Sequence, residues 1–203
     1  MLIEGSGRRS VLGSGLPVVR SKRMLVRTSM ADTTGLRTRL ATLADSAAIA
    51  AIYNEGIADR IATFETEPRS PAQIAEWFTG RQPVIIAETE NAEPVAFAAS
   101  FPYSDRACYS GIGEFSVYVR RDFRGRGAGR AVLAALMAAA AVTGLHKLTS
   151  RVFPENIASR ALLKGLGFEE IGIHCRHGKL DGRGRDCVIV ERLLDTYVDA
   201  GSR

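Results

Sequence analysis

Val117-Tyr118-Val119-Arg120-Arg121-Asp122-Phe123-Arg124-Gly125-Arg126-Gly127-Ala128-Gly129-Arg130 passes from an alternating apolar segment into a glycine-rich turn, and from there into an alanine-rich stretch that runs to Val142. The first part predicts a strand and the last a helix beginning near Gly127. A turn of this kind lets backbone N–H groups converge, and the helix macrodipole adds partial positive charge at the same point, so the junction suits a pyrophosphate. Arg124, Arg126 and Arg130 add charge-assisted hydrogen bonds. The spacing lacks the GxGxxG pattern and later acid of a dinucleotide fold, and it lacks the GK[ST] ending of a nucleotide-triphosphate loop.

On the N-terminal side, Leu36 to Leu40 reads as a short strand leading to Asp45, a capping residue for a helix with Ile49, Ile52, Tyr53 and Ile57 on its apolar face. Ser70-Pro71 starts a second helix that ends near Gly80. Val84 to Glu88 and Pro94 to Tyr103, split by Asn91-Ala92-Glu93, form a hairpin. In the strand Gly113 to Val119, Phe115, Val117 and Val119 share one face and Glu114, Ser116 and Tyr118 the other. Beyond the long helix come a strand over Leu148 to Phe153 and a helix capped by Asn156 and closed by Gly165 and Gly167. Two last strands, Phe168 to Lys179 and Asp186 to Leu194, flank a polar turn at Asp181-Gly182-Arg183-Gly184. The order is that of a mixed α/β domain with antiparallel hairpins.

A chain of 203 residues with 46% hydrophobic and 24% charged content supports one domain with a sizeable core. Its formal charge of +5 is concentrated at one end. Residues 1–34 hold six basic side chains against Glu4 and Asp32, leaving the remainder nearly neutral, so no nucleic-acid partner is expected. Residues 1–34 are read as a basic, disordered extension, with Met24 and Met30 as alternative starts, residues 35–196 as the domain, and 197–203 as a short tail. The open readings of the extension are a transit peptide or non-structural leader sequence. Cys108, Cys175 and Cys187 form no metal-ligand pattern, so no metal is expected and a reducing, cytoplasmic setting fits. No apolar run reaches the roughly 20 residues that span a bilayer, so no membrane partner is expected.

Arg124-x-x-Gly127-x-Gly129 resembles the acyl-CoA pyrophosphate signature R-x-x-G-x-G of the GCN5-related N-acetyltransferases. Asn156-Ile157-Ala158-Ser159, followed by Leu162 to Phe168, is similar to a second portion of that superfamily. Within it, Tyr53-Asn54, Thr63 to Pro68, Glu114 to Val119, Gly178 to Gly182 and Glu191 to Leu194 resemble the phosphinothricin and arsinothricin N-acetyltransferase group. The resemblance covers Leu36 to Leu194. It implies a central, mostly antiparallel sheet splayed at the acyl-CoA site and flanked by helices, acetyl-CoA as co-substrate, and a small amine as acceptor. It also implies pairing into a homodimer.

The implied donor site comprises Val117, Tyr118, Val119, Arg124, Gly125, Arg126, Gly127, Ala128, Gly129, Arg130, Asn156 and Ser159. Acetyl transfer requires a neutral amine, hence a proton acceptor, and Glu114 matches the catalytic carboxylate of the group. His146, His174 and His177 are rival bases. An amino-acid-like acceptor with anionic groups would favour an arginine clamp, and Phe64, Arg106, Tyr109 and His174 are the candidate acceptor residues. Two positions depart from the pattern: Leu163 stands where many members carry a tyrosine general acid, and Gly184 where the group often has tryptophan. Acetylation of an ordinary amino acid or other small amine, and an inactive acyl-CoA-binding module, remain open as alternatives.

Overall fold

A computed structural model describes residues 35–194; the extension over 1–34 and the tail from 197 onward lie outside the described residues. The chain enters through β1 (Arg37–Leu40), an edge strand, and turns into α1 (Ser46–Ala58). Asp45 does not cap α1 with its side chain. Its carboxylate accepts from the Thr42 N–H at 2.7 Å and from the Arg39 guanidinium at 2.8 Å through each oxygen, because a short 3-10 turn over Leu43–Asp45 intervenes. The second helix, α2 (Pro71–Ala75), starts as expected, with Ser70 Oγ accepting from the Gln73 N–H and Gln73 Oε1 accepting from the Ser70 N–H. Glycine 80 closes the 3-10 turn that follows it.

The hairpin of β2 (Val84–Glu88) and β3 (Pro94–Pro102) forms the sheet's interior. Val84, Ile86, Phe97 and Ala99 join a core with Ile49, Ile52 and Ile74 of α1 and α2. Ile85, Ala87, Ala96 and Ala98 point the other way, into a core with Val132, Leu133 and Leu136. These last residues belong to α3 (Ala128–Val142), whose buried positions recur at helical spacing. Helices on both faces explain why these strands are apolar throughout. The exception is Glu88, fully buried, whose pKa burial pushes up but the hydrogen bonds from Arg37 and Arg39 bring down below the ordinary value.

β4 (Ile112–Val119) pairs antiparallel with β3 and parallel with β5 (Lys147–Val152). After α4 (Ile157–Gly165), β6 (Glu169–Leu180) and β7 (Arg183–Leu193) form a hairpin, giving the order β1-β2-β3-β4-β5-β7-β6. The final turn is shorter than the sequence pattern implies. Asp181 and Gly182 alone make it, with φ of 49° and 77°, which is the two-residue geometry that suits strand twist, so Arg183 and Gly184 are already strand.

Candidate active site

The β4–β5 contact consists of Ile112, Gly113 and Glu114 against Lys147, Leu148 and Thr149. Past Glu114 the two strands diverge. Arg120 N–H bonds to Val95 O and Ile112 O accepts from Tyr103 N–H, so even-numbered residues of β4 turn their backbone groups towards β3. Odd-numbered residues therefore face β5, and the Ser150 hydroxyl donates to Phe115 O at 2.8 Å at the fork. Val117 faces the same way, beyond the last β4–β5 pair, leaving its N–H and C=O directed into the cleft. The cleft, about 70 Å³, is lined by Phe115 to Tyr118 on one side and Ser150 to Phe153 on the other, with Asn156, Ser159, Leu163 and Ala62.

At its far end the glycine turn behaves as the sequence predicts. Gly125 and Gly127 take φ of 75° and 86°, and Gly127 begins α3 with no side chain capping it. The first N–H groups of the helix thus have no acceptor within the helix. The three arginines are placed differently from one another. Arg124 donates through Nε to Val119 O at 3.1 Å and ion-pairs with Asp59 at 2.7 Å. Arg126 lies 5.2 Å from the Phe123 ring centre. Arg130 turns away to donate to Gly165 O at the end of α4, at 2.9 Å.

Asp59, at the C-terminal end of α1, also accepts from Arg121 at 2.7 Å. Burial raises its pKa, but the Arg121 and Arg124 guanidiniums more than offset this and hold it below the ordinary carboxylate value. Asn156 caps α4 by accepting from the Ser159 N–H at 3.1 Å, and its Nδ2 donates to Ile61 O at 3.0 Å. The segment after α1 is therefore tied at Asp59 and Ile61 to residues of the predicted donor site.

Glu114 lies at the fork and pairs with Arg151, which reaches across from β5. Tyr118, on the same face, stacks on Phe97 and meets Tyr53 edge to face at 4.7 Å; burial raises its hydroxyl pKa well above the ordinary value. Phe64 packs edge to face on Phe153 at 4.9 Å and closely against Gly178. His174 and His177 lie in β6 with ring centres 4.8 Å apart. Burial, and then the positive charge of Arg151, lower the His177 pKa, while Glu114 opposes the shift. Glu114, Arg151 and the histidine pair are thus brought together, with Phe64 bordering Phe153 of the cleft wall.

Arg106 and Tyr109 are placed elsewhere. They lie on the exposed loop between β3 and β4, with the guanidinium 5.4 Å from the Tyr109 ring centre, and neither lines the cleft. The sequence reading missed Arg151, Ser150, Asp59 and Ala62. Only Arg151 carried a signal, a lone charge inside the strand Leu148 to Phe153. Among the described residues no cluster of three or more His, Cys, Asp or Glu could hold a metal, and no helix is long and apolar enough to cross a membrane.

The model of the acetyltransferase (GNAT) family matches residues 49–168, which span the fork, the glycine turn and α4. The chain belongs to this family. It is an acetyltransferase with the GNAT fold. It is 33% identical over 161 residues to an L-methionine sulfoximine/L-methionine sulfone acetyltransferase of Pseudomonas paraeruginosa, covering 77% of this chain and 94% of that protein. A phosphinothricin N-acetyltransferase of Streptomyces coelicolor is 30% identical over 149 residues, covering 70% and 87%. The crystal structure of a Sinorhizobium meliloti GNAT phosphinothricin acetyltransferase in complex with acetyl-CoA superposes with a TM-score of 0.74 at 30% identity, covering 79% of this chain and 89% of that one.

Proposed function

We propose that this GNAT acetyltransferase moves acetyl from acetyl-CoA to the amino group of a small amino-acid-like toxin such as phosphinothricin or arsinothricin. The observation that carries the reading is the position of Glu114 at the fork, where the sheet opens next to the uncapped N-terminus of α3. The N–H groups over Gly125 to Arg130, with Arg124 and Arg126, receive the pyrophosphate of the donor. Arg130 acts from behind them by fixing α4. Val117 offers its free N–H and C=O to the pantetheine amides, Tyr118 and Val119 shape that wall, and Asn156 and Ser159 border it.

Glu114 accepts a proton from the ammonium, leaving a neutral amine. The amine nitrogen bonds to the thioester carbonyl carbon, the C–S bond breaks, and the second amine proton ends on the departing sulfur or in solvent. With Leu163 buried at the position of the usual general acid, protonation from water suffices, because a thiol is acidic enough to leave readily. On the acceptor side Phe64 supplies an apolar wall and His174 a polar edge, while Arg106 and Tyr109, on the exposed loop outside the cleft lining, have no part in the scheme. No metal takes part in this scheme.

We also read the chain as a cytoplasmic homodimer. The support is an edge strand, β6, with Ile171 and Ile173 exposed at 55% and 59%, together with three free cysteines. Light scattering measures the oligomeric state directly.

The test is acetyl-CoA turnover with phosphinothricin, arsinothricin, methionine sulfoximine, common amino acids and a polyamine. The reading expects the toxin analogues to be preferred. Preference for a common amino acid or the polyamine replaces it with acetylation of that amine, and acetyl-CoA binding without turnover on any amine makes the chain a binding module. Glu114→Gln is expected to lower kcat by roughly 10²–10⁴-fold with acetyl-CoA affinity nearly unchanged; unchanged turnover removes Glu114 from the mechanism.

A further inference from the structure

We infer that Arg151 is a specificity residue that binds the α-carboxylate of the acceptor, so that the Glu114–Arg151 pair selects α-amino acids over simple amines. This rests on the acceptor being an amino-acid-like compound.

Arg151 lines the cleft on the β5 side, and its guanidinium spans the fork to the Glu114 carboxylate. The two side chains share one face of the sheet: Glu114 is level with Thr149, and Arg151 is two residues further along β5. Both are about one-third exposed, at 35% and 37%, so the pair is open to an incoming solute. The bond to Glu114 uses Nη1, and no other hydrogen bond to the Arg151 side chain is formed among the described residues. Nε and Nη2 therefore retain donors in the planar fork that matches a carboxylate.

An α-amino acid carries its ammonium and carboxylate on one carbon, and the Glu114–Arg151 pair presents the complementary charges side by side. The ammonium meets the Glu114 carboxylate, which also accepts its proton, and the α-carboxylate meets Arg151. The amine is thereby placed at the fork by two contacts on a rigid strand pair instead of one. A monoamine or a polyamine leaves Arg151 without its ligand. Serine 150, bonded to Phe115 O, fixes β5 beside β4 and so fixes the distance between the two charges.

Arg151→Met keeps the aliphatic stem and removes the charge; Arg151→Lys restores charge without the planar fork. The acceptors are whichever of L-phosphinothricin and L-methionine sulfone the enzyme acetylates faster, and its α-carboxamide. Wild-type enzyme is expected to favour the acid over the amide by roughly 10–100-fold in kcat/KM, the range given by a hydrogen bond to a charged group. Arg151→Met should raise KM for the acid by a similar factor, shift the amide by less than about threefold, leave KM for acetyl-CoA within about twofold, and Arg151→Lys should recover part of the loss. Equal use of acid and amide by wild-type enzyme, or an equal loss on both in Arg151→Met, overturns the assignment. Calorimetric binding of the same two compounds in the presence of free CoA separates this from failure of the function. Acid bound more tightly than amide, without turnover, keeps Arg151 as the carboxylate site and refutes the acetylation; equal binding refutes Arg151.

Discussion

Gly56 is where the helix layer and the cleft wall touch, and replacing it by alanine tests that contact. A Cβ built there lies 2.5 Å and 2.6 Å from Tyr118 Cδ1 and Cε1. Ordinary carbon contacts are about 3.5–4.0 Å, so the ring must move by roughly 1 Å. It has little room, being stacked on Phe97 at 5.4 Å and held edge-on by Tyr53 at 4.7 Å. Overpacking of this kind costs about 1–3 kcal/mol, against which alanine in place of a mid-helix glycine returns about 1 kcal/mol. The net is roughly 0–2 kcal/mol of destabilisation, and at about 2–4 °C per kcal/mol the Tm falls by up to roughly 8 °C. Because Tyr118 belongs to the cleft wall, KM for acetyl-CoA should rise as well. Thermal melts of wild type, Gly56→Ala, Tyr118→Leu and the double variant form a cycle. The expected result is a Gly56→Ala penalty that shrinks or reverses once the ring is gone. A Gly56→Ala protein with a raised Tm, or a penalty of the same size in both backgrounds, refutes the contact as the cause.

If Arg124 meets the donor pyrophosphate as proposed, Asp59→Asn removes a carboxylate that would compete for it and leaves the turn one charge more positive, so KM for acetyl-CoA should fall about 3–10-fold at low salt and less at high salt; a rise would mean that Asp59 aligns Arg124. Asp45 is held at about 2, below its ordinary 3.8, chiefly by the hydrogen bonds from Arg39. Its stabilising contribution is complete above pH 3.8 and is lost as pH falls through about 2. Asp45→Asn should therefore melt below wild type at neutral pH, with the gap closing over that acid range. A gap independent of pH would assign the effect to packing.

The succession of strands and helices along the chain and the glycine turn before α3 were legible in the sequence because both rest on local rules. Alternation identified the faces of β4, the Ser70-Pro71 start survived as a capping box, and Gly125 and Gly127 marked the turn that enters α3. What stayed hidden depends on contacts between distant segments. Asp45 has the residue type and position of a helix cap, yet Arg39 claims its carboxylate. Arg130 belongs by spacing to the glycine turn, yet the end of α4 lies within its reach. Arg106 stands eight residues before Glu114, but the loop carries it to an exposed position outside the cleft lining. Arg151 sits far from Glu114 in the chain, and only the short parallel contact of β4 with β5 makes them neighbours.

The three-residue contact between β4 and β5 gives this sheet an edge in its interior as well as two at its ends. Amides along that inner edge have no strand to shield them, so the Val117 N–H should exchange with solvent quickly in a strand whose other side is locked to β3. On the proposed reading, an extended ligand in the cleft would take the place of the missing neighbour, and slowed exchange at Val117 would report its arrival before any chemistry. The sheet would then be completed by what the enzyme binds.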